Sequence, residues 1–245
     1  MTLTGKKALI TGGGSGIGLA CAHRLSDAGA EICVAGRHED PLRASGFAYV
    51  VMDVSDEDSV RAARERTGPM DIVISNAGGA TTAPALKTSL HTWNAMLAVN
   101  LTGAFLCAQN FAPDMISHGW GRFIVIGSTA SLKGYAYSAA YCAAKHGVLG
   151  LVRTLAIEMA KTGVTVNALC PGFTRTALVT RAMDTIAHKT GRSREDALHT
   201  LIRDNPMGRL VEPEEVADAA LWLCGDGAAA TNGQTVVIDG GELAA

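Results

Sequence analysis

Near the middle of the chain lie residues whose side chains together can move a proton. Ser128 follows the apolar run Arg122 to Ile126 through Gly127, and thirteen residues later comes Tyr141-Cys142-Ala143-Ala144-Lys145 on a strongly helical stretch. A separation of four sets Tyr141 and Lys145 one turn apart on the same helical face. A free phenol has a pKa near ~10 and keeps its proton at neutral pH, so it is a poor base unaided. An adjacent ammonium favours the phenolate, and each unit of lowering is worth roughly 1.4 kcal/mol. Such a pair is also common as a half-buried tyrosine beside a snorkelling lysine, so its meaning depends on what surrounds it.

The first apolar run, Lys7 to Ile10, passes directly into Thr11-Gly12-Gly13-Gly14-Ser15-Gly16-Ile17-Gly18, with a helical pattern at once behind it. Glycines let a backbone turn sharply and bring its N–H groups close to a pyrophosphate at a helix N-terminus, where partial positive charge favours anions. The spacing is TGxxxGxG, with Gly12, Gly16 and Gly18 at the fixed places, rather than GxGxxG. A unit that binds NAD carries an acidic residue at the end of its second strand for the ribose 2′-hydroxyl. Here that strand ends Val34-Ala35-Gly36-Arg37, and a guanidinium suits a 2′-phosphate. NADP(H) is therefore favoured, with NAD(H) the alternative through Glu39 or Asp40.

The elements that position these residues read as short β-rich runs alternating with longer helical ones. Strands are expected at Lys7 to Ile10, Glu31 to Ala35, Tyr49 to Met52, Asp71 to Ser75, Arg122 to Ile126, Val164 to Ala168 and Thr235 to Ile238. Their uninterrupted apolar character belongs to strands covered on both faces. Crossover helices are expected at Gly16 to Ala28, Asp56 to Arg66, Leu90 to Ser117, Ala139 to Lys161 and Pro213 to Leu223. The fold class that follows is α/β, a doubly wound seven-stranded parallel sheet (Rossmann fold) in one domain, residues 1–245. Thr176 to Asn205 carries two amphipathic helical patterns and no strand, and is expected to form a helical lid.

With 245 residues, 48% hydrophobic and 18% charged, 28 Gly and 7 Pro, the chain is neither disordered, collagen-like nor coiled-coil. A formal net charge of −2 gives no basic field for nucleic acid or an anionic membrane. No run reaches the ~20 apolar residues of a membrane helix. The cysteines form no CxxC and the histidines no HxxxH or HExxH. Reduced thiols, a cytoplasmic location and no metal are expected.

Taken together, these motifs resemble the short-chain dehydrogenase/reductase family in its short single-domain branch. Beyond Thr11 to Gly18, Asp53-Val54 matches the family's adenine-holding motif, and Asn76-Ala77-Gly78 the motif that steadies the sheet beside the cofactor. Asn100, in Val99-Asn100-Leu101-Thr102-Gly103, stands at the family's helix asparagine. Ser128, Tyr141 and Lys145 match its catalytic trio; Pro171-Gly172 with Thr176 matches the loop that grips the nicotinamide carboxamide; Asp239-Gly240-Gly241 matches its ending.

The resemblance implies hydride transfer between the nicotinamide C4 and a carbonyl or carbinol carbon. Tyr141 would be general acid or base, and Ser128 would hold the substrate oxygen. Lys145 would lower the Tyr141 pKa and bind the nicotinamide ribose, and Asn100 would hold a relay water. Cofactor contacts would come from Gly12, Ser15, Gly16, Ile17, Gly18, Arg37, Asp53, Val54, Asn76, Ala77, Gly78, Tyr141, Lys145, Pro171, Gly172 and Thr176. Ser15 departs from NADP-preferring relatives, which often carry a basic residue there. The substrate is expected to be a small carbonyl or alcohol, and the assembly a homotetramer paired through the helices Leu90 to Ser117 and Ala139 to Lys161 and the last strands.

Substrate identity falls to Gly79 to Pro84, Thr129 to Tyr137 and the lid. The lid mixes Leu178, Val179, Met183 and Ile186 with Arg181, Lys189, Arg192 and Arg194, an apolar pocket with a basic rim or two ordinary amphipathic helices; Tyr135 and Tyr137 are candidate pocket aromatics. A serine hydrolase is excluded by the lack of GxSxG. A non-catalytic dinucleotide sensor on the same fold is the rival reading, though Tyr141 and Lys145 are both present. An enoyl reductase would have a wider Tyr–Lys interval than three residues, and an extended-branch epimerase a longer C-terminal domain.

Overall fold

In a computed structural model of the chain, residues 2–191 and 193–244 are described. Seven parallel strands form one sheet: β1 (Lys7–Thr11), β2 (Glu31–Gly36), β3 (Ala48–Val51), β4 (Ile72–Ser75), β5 (Gly121–Ile126), β6 (Val164–Pro171) and β7 (Thr235–Ile238). Their order is β3-β2-β1-β4-β5-β6-β7. The order reverses between β1 and β4, and in such sheets ligands bind outside the carboxyl ends of the strands at that point.

The apolar runs are apolar because both faces are covered. Every residue of β4, β5 and β6 is buried. Successive side chains point to opposite faces, so Leu9, Val73, Phe123 and Val166 join one core layer while Ala8, Ile10, Ile72, Ile74 and Ile124 join the other. The first layer is closed by α3 (Glu57–Thr67), α5 (Gly103–His118) and α6 (Ala139–Glu158), which contribute Val60, Phe111, Met115 and Val152. The second is closed by α1 (Gly16–Asp27) and α9 (Pro213–Cys224), through Leu25, Val216 and Leu223. All six cysteines are free thiols.

Two elements differ from expectation. A short helix α2 (Glu39–Ala44) follows β2 where no helix is expected; its Pro41 lies in the first turn, where a missing N–H has no partner to lose. The long run from Leu90 is not one regular helix. α4 (Leu90–Leu97) passes through a π-turn, Ala98–Thr102, into α5, and such turns mark functional positions. This continuous helix, Leu90–His118, is long and apolar enough to cross a membrane, contrary to the expectation that no such run exists. In the fold it lies on the sheet, with Cys107, Phe111 and Met115 fully covered.

The lid region forms α7 (Ala177–Thr190) and α8 (Arg194–Ile202). Val179, Ile202 and Leu210 make a small separate core with Phe173, Leu198 and Leu201. Within it Arg194 pairs with Asp184 of the same region at 2.7 Å, which turns that part of the expected basic rim inward on itself. Arg192 lies outside the described residues, as do the side chains of Ile186 and Lys189.

Candidate active site

The carboxyl ends of β1, β2, β4, β5 and β6 bring the expected site residues to one edge of the sheet. After β1 the chain turns through Gly12 (φ +65°) and Gly16 (φ +53°), in the left-handed region that favours glycine. A Cβ on Gly12 would stand 2.8 Å from the Asn76 Nδ2, and one on Gly18 2.5 Å from the Gly12 carbonyl oxygen. These glycines are therefore dictated by internal closeness as well as by room for a ligand. Ser15 makes no side-chain capping bond to α1, and its first turn carries no acidic residue. The helix start keeps N–H groups and partial positive charge that an anion can satisfy. The Cβ position of Gly16 lies 3.0 Å from Thr176 Cγ2, so the lid's first residue meets the glycine turn.

The turn is locked to β4 by a residue outside the expected site list. Thr11 Oγ1 accepts from the Asn76 N–H at 3.0 Å and the Ala77 N–H at 2.9 Å, while Asn76 Nδ2 donates to the Thr11 carbonyl at 2.9 Å. Gly78 is glycine because a Cβ there would lie 2.7 Å from Asn100 Oδ1. Asn100, buried in the π-turn, donates from Nδ2 to the Gly79 and Met96 carbonyls at 3.0 Å each, and its Oδ1 accepts from the Gly79 N–H at 3.3 Å. Its side chain thereby clamps the β4 loop.

At the adenine end, Arg37 is exposed just past β2. Glu39 faces elsewhere: its Oε1 accepts from the Tyr49 hydroxyl and from Arg43, both at 2.7 Å, and the tyrosine bond foremost, then the arginine, hold its carboxyl below the usual range. Asp53 accepts from the Ser55 N–H and hydroxyl at 2.9 and 2.6 Å. Partial burial opposes its ionisation, but the Ser55 bonds and the nearby Arg37 charge leave its carboxyl below its ordinary value. Val54 presents no side chain to a ligand; it is buried against Gly103, whose Cβ would stand 2.8 Å from Val54 Cγ2.

Ser128 ends β5 and caps the short 3₁₀ turn Thr129–Ser131, its Oγ accepting from the Ala130 N–H at 3.1 Å. Its side chain also lies near enough to the Tyr141 phenol to favour the ionised form. Beneath them Lys145 is buried and donates from Nζ to the Ile126 carbonyl at 2.8 Å. Burial lowers its pKa from 10.5 to about 8. In the protein alone burial raises the Tyr141 pKa, the Ser128 side chain opposing it, and an ammonium 5.8 Å from the ring centroid and bonded elsewhere does not offset desolvation. The lowering expected of this phenol draws on Lys145 together with the positive charge of an oxidised nicotinamide.

Tyr137, at the loop before α6, has φ 65°, costly for a bulky residue. Its carbonyl accepts from the Ala83 N–H at 2.8 Å and so joins the two loops beside the site. After β6, Gly172 donates to the Ile238 carbonyl at 3.0 Å, and a Cβ on it would crowd Asp239 and Glu242 at 3.2 Å. The arrangement is an anion-binding turn, a guanidinium at the second strand, and a Ser–Tyr–Lys group at the fifth, the equipment of a dinucleotide-dependent oxidoreductase.

Comparison with known proteins agrees. Residues 12–242 match the family model described as enoyl-(acyl carrier protein) reductase. The chain is 37% identical to a D-beta-hydroxybutyrate dehydrogenase of Cupriavidus necator, covering 99% of each, and 38% identical to a D-threitol dehydrogenase of Mycolicibacterium smegmatis, covering 98% of this chain and 93% of that one. The crystal structure of an actinorhodin polyketide ketoreductase variant with NADPH superposes with a TM-score of 0.89 at 35% identity, covering 97% of each chain. The chain belongs to the short-chain dehydrogenase/reductase family and is an NAD(P)-dependent oxidoreductase acting on C=O or CH–OH groups.

Proposed function

We propose that this protein reduces a ketone, or oxidises the matching secondary alcohol, with Tyr141 as the general acid or base and NADP(H) as the favoured dinucleotide. The carrying observation is the grouping of Ser128, Tyr141 and a buried Lys145 at the carboxyl end of β5, with the glycine turn at the carboxyl end of β1 in the same sheet. Bound, the dinucleotide supplies or accepts the hydride. Ser128 donates to the substrate oxygen, and Tyr141 delivers the proton that this oxygen gains on reduction. Lys145, Pro171, Gly172 and Thr176 hold the nicotinamide end, and the Gly12 to Gly18 turn with Asn76, Ala77 and Gly78 the pyrophosphate end. Asp53 and the Val54 backbone lie at the adenine. The Asn100 side chain holds the Gly79 backbone, and its Oδ1, with one acceptor site left, would hold the relay water. Residues 176–205 serve as the lid within a single working unit.

NADP is supported by Arg37 and by Glu39, whose carboxylate is already tied to Tyr49 and Arg43, and by the NADPH of the actinorhodin ketoreductase structure. Incubation with NADPH and a panel of ketones, diketones, cyclic ketones and 3-oxoacyl thioesters should consume the cofactor's absorbance; no turnover with any of them would remove the reading. Arg37→Ala should lower the NADPH-to-NADH ratio of kcat/KM by about ten- to a hundredfold, the worth of a charged hydrogen bond. An unchanged ratio assigns the selection elsewhere.

The protein is further proposed to be a cytoplasmic homotetramer. Phe105 and Ile116 on α5, Ile157 on α6 and Val237 on β7 are large apolar residues left exposed on the elements expected to pair. Sedimentation should give about four chain masses; a single-chain mass would exclude it.

A further inference from the structure

We propose, building on the ketone-reducing reading above, that Glu242 sets the charge preference of this site by cancelling Lys133, so that the pocket takes uncharged ketones in preference to oxo-acids. Lys133 stands on the connection from Ser128 to Tyr141, its Nζ 5.0 Å from the Tyr135 ring centroid. An ammonium in that wall would by itself draw a substrate carboxylate. It is not by itself: Nζ lies 2.8 Å from Glu242 Oε1, and the Glu242 side chain is only 4% exposed.

The same carboxylate oxygen accepts the Tyr135 hydroxyl, which also bonds Thr129 Oγ1 at 2.6 Å. Tyr135 packs edge-on against Phe173, centroids 5.9 Å apart. The other carboxylate oxygen lies 3.2 Å from where a Gly172 Cβ would be. The tail carrying Glu242 is itself fixed: Asp239 accepts from the Gly241 and Leu243 N–H groups at 2.8 Å, and a Cβ on Gly240 would collide with Asn205 Oδ1 at the end of the lid region. Glu242 thus sits where the loop after β5, the loop after β6 and the lid region meet.

Burying a carboxylate is costly unless it is paired, and a well-packed apolar substitute is often no less stable. Stability therefore does not account for the pair. Its consequence at the site is electrostatic: the cation is neutralised, and the groups joined to the pair are the Tyr135 ring with Phe173 packed against it and the neighbouring exposed Leu132. Selectivity between an acid and its ester is a difference of two affinities, and the charge balance of the wall shifts that difference.

The test compares wild type, Glu242→Gln, Lys133→Met and the double variant. Each is given NADPH with acetoacetate against methyl acetoacetate, and with 4-oxocyclohexanecarboxylate against its methyl ester. Wild type should favour the esters. Glu242→Gln should raise the acid-to-ester ratio of kcat/KM by about tenfold, Lys133→Met should lower it, and the double variant, neutral again, should return near the wild-type ratio. Restoration by the second change is something a merely structural role would not produce, and Lys133→Met gives an independent reading should Glu242→Gln fail to fold. Wild type preferring the acids, or ratios that do not move in opposite directions in the two single variants, would overturn the proposal. A wild type inert toward all four compounds and the wider ketone panel would instead remove the ketone-reducing reading beneath it.

Discussion

Tyr141→Phe should lose roughly 10²- to 10⁴-fold in kcat/KM for ketone reduction, the span a positioned general acid contributes, while binding NADPH nearly as wild type does. Only one oxygen is removed, and with it the proton donor; the glycine turn, Arg37 and the loop after β6 are untouched. The sign of the pH dependence follows from burial. The phenol is held above its ordinary 10.0 in the protein alone, so the acid form needed for reduction persists through the neutral range and well into alkali. The base form needed for alcohol oxidation is scarce, and oxidation should quicken as pH rises. The cation of an oxidised nicotinamide favours the phenolate, so oxidation should proceed at a lower pH than the free phenol would permit. Rates in both directions against pH, for wild type and variant, check this. A variant with wild-type turnover, or oxidation that slows steadily from pH 6 to pH 9, would defeat the assignment.

The sheet was legible because its strands are covered on both faces, which makes β4, β5 and β6 continuous apolar runs, and because glycine at positions 12, 16 and 18 answers a geometric demand that few other residues meet. What escaped depends on closeness between distant residues. The Thr11 hydroxyl anchors a loop 65 residues away, and nothing in its neighbourhood along the chain announces that. Tyr135 and Glu242 lie 107 residues apart and meet only because β6 and β7 adjoin. Apolar periodicity does not distinguish an i→i−4 ladder from the π-turn at Asn100, and the short α2 helix was not expected. Spacing reveals the ammonium near Tyr141 but not the desolvation that raises the phenol's pKa in the protein alone.

Lys145→Met should abolish most turnover and also remove a contribution that makes the protein more stable as pH rises between about 7 and 9. In the fold the ammonium has its pKa lowered from 10.5 to about 8, whereas in the unfolded chain it returns to the ordinary value. Below pH 8 both states hold the proton, and burying the charge costs roughly 3 kcal/mol at about 1.4 kcal/mol per unit. As pH rises through 8 the folded state releases its proton while the unfolded state keeps it, so unfolding takes up a proton and stability increases with pH. The buried thiols work in the other direction at higher pH. Burial pushes Cys21, Cys107 and Cys224 up to about 12 and Cys33 to about 11, so above about 9 the unfolded chain ionises first and stability falls. The unfolded thiols are partly ionised by pH 9 in both proteins alike, so it is the difference between the two proteins across pH 7 to 9 that isolates the lysine. The variant also loses the bond to the Ile126 carbonyl, leaving an acceptor unsatisfied at about 1–3 kcal/mol, so the two proteins should be of similar stability at pH 7 and diverge as pH rises. Denaturant midpoints at pH 7, 8 and 9 read that difference directly, and wild-type kcat/KM for ketone reduction should decline above pH 8 as the ammonium is lost. An equal slope in both proteins would mean that Lys145 is not the group titrating there, and with it would go the placement of a charged lysine behind Tyr141.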